Sequence, residues 1–415
     1  MGAMRALPAL ALLAVLGAGG VAVAAESSDQ PAALVERRAP LRPPPDFTLQ
    51  DWLGVVTGFA APPPAVPAPE KRYDWHLFPF VIASPLVGVG GGVASVGTFR
   101  LGEPRSTGYS SFAGSAIVTS NGQVSVGLLT DVRLPSNDWL LVGDWGWSHF
   151  PNPAWGVGGD TPDSNRTIVD RKELRLNETG YRRVVGHVYA GAGYFLDSFY
   201  DIVDRRAALG AATAFSSYGI GTQGRSFSAG LSANLLLDTR DNPVNPMAGT
   251  YLLARYRFAP SEMGGETRWH SLYLDARAYL PVGGPADTLA FWAFAWRSSG
   301  RTPYLLLPAI GGDPERRSGR GYIEARHVGR DLLYGEVEYR FRIWEFLGGV
   351  VGANLHSASD RTGPEGEPVF RTWSPAASVG LRAMLDRRSQ SNLVLDLAVT
   401  GRGGLAVYVN ANEAF

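Results

Sequence analysis

The chain has 415 residues, with 38 Lys and Arg against 38 Asp and Glu, 51 Gly, 11% aromatic side chains and no Cys. Zero formal charge removes the basic excess of a nucleic-acid binder and the acidic block of a disordered tail. Missing cysteine removes disulfides, thiolate nucleophiles and Cys-ligated zinc, so no metal or cofactor is expected.

Arg5 precedes the apolar run ALPALALLAVLGAGGVAVAA, in which Ala22, Val23 and Ala24 fit a small-x-small cleavage site. Residues 1–25 therefore read as a secretory signal peptide. Beyond it no apolar run reaches the roughly 18 residues that a membrane-spanning helix requires. Residues 26–72 hold two Pro-Pro-Pro runs and read as an extended periplasmic segment. Between those runs Asp46 can cap a short helix with Leu49, Trp52, Leu53 and Val56 on one apolar face. That face is either an apolar spot on a linker or a surface that docks onto the next domain or a periplasmic partner.

From Tyr73 to the last residue the chain alternates with period two. In LLYGEVEYRFRIW, Glu336, Glu338, Arg340 and Arg342 share one face, and Val337, Tyr339, Phe341 and Ile343 share the other. SLYLDARAYL sets Ser271, Tyr273, Asp275 and Arg277 against Leu272, Leu274, Ala276 and Ala278. A soluble β-sandwich also alternates, with its polar faces turned outward. A transmembrane barrel inverts this arrangement, in segments of about ten residues separated by turns. The signal peptide, Tyr and Trp near strand ends, and charges alternating inside strands favour an all-β, transmembrane antiparallel barrel over residues 73–415 in the bacterial outer membrane.

Strands are expected near 87–99, 110–119, 123–133, 138–149, 167–178, 183–198, 205–215, 225–238, 250–259, 267–280, 287–299, 332–344, 346–357, 371–385, 391–400 and 403–412. The total is sixteen, an even number as such barrels need. If the chain enters from the periplasm, the connections 120–123, 241–249, 281–287 and 386–391 are periplasmic turns and residues 300–331 lie outside.

Three pieces resemble the outer-membrane assembly-factor superfamily, the bacterial surface antigen barrels of the BamA/TamA type. DTRDNPVNPMAG is similar to the family's turn, here Asp238, Thr239, Arg240, Asp241, Pro246 and Gly249. GRGY, Gly319 to Tyr322, is similar to the Arg-Gly-aromatic signature of the sixth extracellular loop, and EVEYRF to the strand after it. FPFVIASPLVGVGGGVASVGTFR also resembles the first strand of family members without periplasmic domains. Relatives usually carry polypeptide-transport-associated (POTRA) modules before the barrel, and residues 26–72 are too short and Pro-rich for one. GGVVGANLHSAS departs from the family's Phe-x-Asp-x-Gly strand, with Asn354 standing nearest the aspartate. The resemblance implies insertion or translocation of polypeptide, or of lipid, with the bilayer and client polypeptides as partners. The competing class is a passive porin-like channel or a structural surface antigen.

Gly319 and Gly321 let the backbone around Arg320 turn tightly and approach a wall, and Tyr322 supplies an aromatic anchor. A guanidinium folded into the lumen needs a carboxylate. Glu338 on the polar face of the next strand is the expected partner, with Glu336 one pleat along. A phosphate cradle lacks its strand, loop and helix, and an RNA-binding tail lacks the charge and the compartment. Gly88, Gly90 and Gly92 leave the expected first strand few side chains to pin its register. Against Val407 and Val409 of the last strand they make either a weak seam that opens laterally, as the resemblance implies, or a strand whose glycines serve tight inward packing. Phe415 ends the last strand as a targeting aromatic, with Glu413 where an apolar residue is usual. Neither HExxH nor GxSxG occurs, and HSAS and WHSL alone do not define a Ser-His site, so no catalysis is expected.

Overall fold

The computed structural model describes residues 11–12, 73–84, 88–103, 106–108, 110–242, 245–284, 286–344, 346–360, 371–384, 392–411, 413 and 415. The Pro-rich segment with its expected short helix, and the expected signal peptide apart from 11–12, lie outside the described residues.

Sixteen long strands follow one another: β1 Tyr73–Ser84, β2 Gly88–Phe99, β3 Ser110–Thr119, β4 Val124–Arg133, β5 Trp139–His149, β6 Thr167–Val185, β7 Val188–Asp204 and β8 Gly224–Asp238, then β9 Gly249–Ala259, β10 Trp269–Pro281, β11 Thr288–Gly300, β12 Asp331–Arg342, β13 Leu347–Ser359, β14 Ser374–Met384, β15 Asn392–Thr400 and β16 Leu405–Ala411. Each pairs antiparallel with the next. Among the described residues no ladder joins β1 to β16. The two-residue strand Ala11–Leu12 runs parallel to Ala406 and Val407.

The alternation is inverted relative to a soluble sheet. In β12 Tyr334, Glu336, Glu338 and Arg340 are buried while Val337 and Tyr339 are exposed. In β15 Val394, Asp396 and Ala398 are buried while Leu393, Leu395, Leu397 and Val399 are exposed. Charged groups thus face a filled lumen and leucines face outward, the pattern of a barrel that lipid surrounds. The short connections 134–138, 186–187, 239–248, 282–287, 343–346 and 385–391 share one end, and the long ones, 150–166, 205–223, 301–330 and 360–373, share the other. Near the long-loop end Phe215, Tyr304, Leu307 and Val328 from these loops pack with Val169, Phe199 and Ile202 of the wall, roofing the lumen with an apolar cluster.

Two expected strands are corrected. The first strand is Tyr73–Ser84, in which Pro79 interrupts the alternation; a residue without an N–H is tolerated where a strand edge is unpaired. No strand occupies 205–215. There Asp204 accepts hydrogen bonds from Thr167 Oγ1 and Thr213 Oγ1 and from the N–H groups of Arg206 and Ala207, starting a run of short turns. The two changes offset each other in the total, but they move the 120–123 turn to the long-loop end, away from 241–249, 281–287 and 386–391. They also remove Gly88, Gly90 and Gly92 from the seam, because β2 is paired on both sides, with β1 and with β3.

A lumenal plug as the candidate functional site

Residues 301–330, between β11 and β12, fold into the lumen and cross it. On one wall Glu315 accepts a hydrogen bond from Arg277 of β10 at 2.8 Å, and Arg316 lies 3.6 Å from Asp144 of β5. Burial raises the Glu315 carboxyl, and the guanidiniums of Arg277, Arg240 and Arg317 together more than offset this, holding it below its ordinary value. On the facing wall sits Arg320, 5% exposed, against fully buried Glu336 and Glu338. Arg320 Nε donates to Glu336 Oε1 at 3.0 Å, Nη1 to Asp396 Oδ2 at 2.9 Å, and Nη2 to Glu338 Oε1.

The local backbone explains this reach. Gly319 and Gly321 have φ of +77° and +102°, the left-handed region that side chains disfavour. A Cβ on Gly321 would stand 3.1 Å from Thr400 Cγ2 and 3.2 Å from Ala376 Cβ, so the plug tip lies against the wall of β14 and β15. The tip is then held along its length. Gly319 N–H donates to Tyr334 Oη at 3.2 Å, Gly321 N–H to Tyr408 Oη of β16 at 2.8 Å, and Asn354 Nδ2 to the Arg320 carbonyl at 3.0 Å. Tyr322 Oη donates to the Pro375 carbonyl at 2.8 Å.

Further carboxylates and guanidiniums extend the lock. Arg340 Nε donates to Glu338 Oε2 at 2.8 Å, and Arg382 Nη1 to Asp396 Oδ1 at 2.5 Å. A buried charge without a partner is strongly unfavourable, so each carboxylate needs its donors. Glu338 is shared between Arg320 and Arg340, and Asp396 between Arg320 and Arg382. Among the described residues Glu336 has as partners Arg320 and the Tyr334 hydroxyl, which donates to Oε2 at 2.5 Å.

The structure brings Arg320, Glu336 and Glu338 together, with Gly321 and Tyr322 on the wall beside them. Asp396 was missed, although a lone carboxylate at an inward position of LVLDLAV could have signalled it. Asn354 does sit in this site, bonded to the Arg320 backbone. The turn motif forms a second, separate site at the short-turn end. Arg240 donates to Asp238 through Nε and Nη2, each at 2.9 Å, and Asp241 Oδ1 accepts from the N–H groups of Met247 and Ala248 at 3.0 and 3.2 Å. Gly249 has φ +106°, and a Cβ there would lie 2.3 Å from the Thr239 carbonyl oxygen. Pro246 lies within this turn.

Phe415 does not end β16. The strand stops at Ala411, and Phe415 is buried in the lumen, its ring centroid 5.3 Å from that of Trp292. Its place in the lumen also accounts for the unusual Glu413, which accepts from Arg382 Nε at 2.7 Å. The histidines of the two Ser-containing stretches have other partners: His356 bonds His327 at 2.7 Å and His270 bonds Tyr256 at 2.6 Å. Burial, then His356 and Arg326, push the His327 imidazole down to about 2. Beside the plug a cavity of about 400 Å³ remains, lined by residues that include Arg175, Asp197 and Arg255.

No family model and no curated protein matches the chain. Solved barrels do. BamA from Haemophilus ducreyi lacking POTRA domains 1–3 superposes with a TM-score of 0.54 at 11% identity, over 83% of this chain and 70% of that one. CdiB from Escherichia coli gives 0.53 at 14% identity, over 83% of this chain and 63% of that one, so the chain spans less than two thirds of CdiB. Identities this low speak for fold alone: the chain is a transmembrane β-barrel with the BamA/TamA-like fold.

Proposed function

We propose that the protein inserts or translocates polypeptide at the bacterial outer membrane, through a plug and a seam, with no reaction of its own. The observation that carries this reading is the lock at Arg320, which ties the plug to β12 and β15 and, through Tyr408, to the last strand. The buried Arg320 guanidinium and the contacts along the plug tip hold the docked arrangement; in this reading the plug also withdraws, and withdrawal frees the strands beside the seam. In this reading the long loops face outward, and residues 26–72 serve as a periplasmic docking segment.

Strand length supports the seam as the working edge. β16 has 7 residues and β15 has 9, against 19 in β6. At about 3.3 Å per residue and a tilt of about 45°, β16 spans only about 16 Å, less than the apolar band of about 25 Å that such barrels present. A bilayer thins beside so short a wall, which lowers the barrier to a client strand entering there. Purified protein in liposomes tests this against a passive channel. Insertion of a client barrel that falls with Arg320→Ala supports the proposal; absent insertion, with ion conductance that Arg320→Ala widens, refutes it.

A further inference from the structure

The tail beyond β16 fills a site that the plug and wall build together. Glu413 is 5% exposed, and its carboxylate accepts from Arg382 Nε at 2.7 Å and from Asn392 Nδ2 at 3.0 Å. Its carbonyl oxygen takes a hydrogen bond from Arg317 of the plug. Two residues on, Phe415 is 4% exposed, its ring centroid 6.4 Å from that of Tyr279 and 5.3 Å from that of Trp292. The Arg340 guanidinium lies over that ring at 5.1 Å and donates through Nη2 to the Phe415 carbonyl at 2.9 Å.

We propose that this is a peptide-binding pocket for an acid-x-aromatic segment, occupied in cis by Glu413 and Phe415. The pocket reads three features at once: a carboxylate through Arg382 and Asn392, an aromatic ring between Tyr279, Trp292 and Arg340, and the main-chain oxygens of residues 413 and 415 through Arg317 and Arg340. The tail supplies one carboxylate of this charge network, and the rest is paired within the wall and plug. Without Glu413 the neighbouring guanidiniums of Arg320, Arg340 and Arg382 still face Glu336, Glu338 and Asp396. The site therefore stays formed when the tail leaves, and a second segment of the same pattern can take its place. Arg317 passes directly from plug to tail backbone, so exchange of the occupant is felt by the plug. The claim concerns peptide binding and holds whether or not the barrel inserts clients.

The test uses the full chain in detergent micelles and a fluorescein-labelled peptide NANEAF, the sequence of residues 410–415. In the chain carrying Glu413→Ala and Phe415→Ala, which vacates the pocket, the peptide binds at least tenfold more tightly than to the native chain by anisotropy. Adding Arg382→Gln abolishes that binding, and a scrambled peptide does not bind. Equal binding by native and vacated chains, no binding by a vacated chain that keeps its heat-modifiable gel mobility, or equal binding of the scrambled peptide overturns the proposal. If the double variant does not fold, Glu413→Gln with Phe415→Leu, which keeps the size of the tail while removing its carboxylate and its ring, replaces it, and tighter peptide binding than to the native chain is again the supporting result.

Discussion

Replacing Arg320 by Ala removes the one guanidinium that, among the described residues, is bonded to Glu336, while Glu338 keeps Arg340 and Asp396 keeps Arg382. The loss is therefore concentrated on one carboxylate that is fully buried and left with a single hydroxyl donor. Removing one partner of a buried ion pair costs about 3–5 kcal/mol, most of it the penalty of the stranded charge. Neutralising that charge should then recover part of the loss: Arg320→Ala with Glu336→Gln is expected to be more stable than Arg320→Ala by about 1–3 kcal/mol. Glu338→Gln in the same background should rescue less, because its carboxylate was never stranded. Urea titrations read by heat-modifiable gel mobility give all four stabilities. If Arg320→Ala loses less than about 1 kcal/mol, or Glu338→Gln rescues as well as Glu336→Gln, the lock is not the one described.

Four further outcomes follow from other positions. Gly380 of β14 faces Asp396, and a Cβ there would lie 1.8 Å from Asp396 Oδ1; Gly380→Val should displace that carboxylate and destabilise by about 1–3 kcal/mol, seen as increased trypsin cleavage after Arg317. Gly249→Ala combines φ +106° with a 2.3 Å approach to the Thr239 carbonyl, so it should cost about 1–3 kcal/mol and shift the urea midpoint down, whereas Gly403→Ala, where a Cβ meets nothing within 4 Å, should shift it less. His327 binds a proton less readily docked than free, since its value falls from 6.5 to about 2. Its stabilising contribution is complete above pH 6.5 and declines as pH falls, by about 2 kcal/mol at pH 5. The groups around it are His356, Tyr322, Arg326 and Arg402, the two arginines being paired with Asp163 and Asp160. The protection factors of residues 322–330, which remove the base-catalysed intrinsic rate, should fall between pH 7 and pH 5 in the native chain and fall less in His327→Gln, where His356 remains. Arg382→Gln, which strips Asp396 and Glu413 of a shared donor, should lower the urea midpoint, and Glu413→Gln should partly restore it.

The inward face was legible wherever charge alternated with apolar residues, as in Glu336, Glu338 and Arg340 of β12 and Asp275 and Arg277 of β10. It was illegible where the inner face is itself apolar or small. β1 carries Pro79 and no regular polar positions, so although it fell within the expected barrel no strand was assigned to it; its identity comes from pairing with β2, a contact between residues on separate strands. The stretch 205–215 read as a strand because its composition permits one, while the Asp204 hydrogen bonds that turn the chain come from Thr167 and Thr213, one of them distant in sequence. The lock was half visible. Arg320 and Glu338 stand close in sequence on either side of one turn, and Gly319 and Gly321 marked the close approach. Asp396 lies 76 positions from Arg320, and only curvature of the sheet brings the two together. Phe415 was misplaced for a related reason: alternation says where a strand can run and carries no signal for where the chain leaves it.

The central claim, that clients pass at the seam between β1 and β16, is tested most directly by closing it. The chain has no cysteine, so one cysteine placed in Tyr73–Ser84 and one in Leu405–Ala411 can be cross-linked without side reactions. In proteoliposomes the reduced protein should insert a client barrel, the oxidised protein should not, and reductant should restore insertion. Equal insertion by the reduced and fully cross-linked forms would contradict the account.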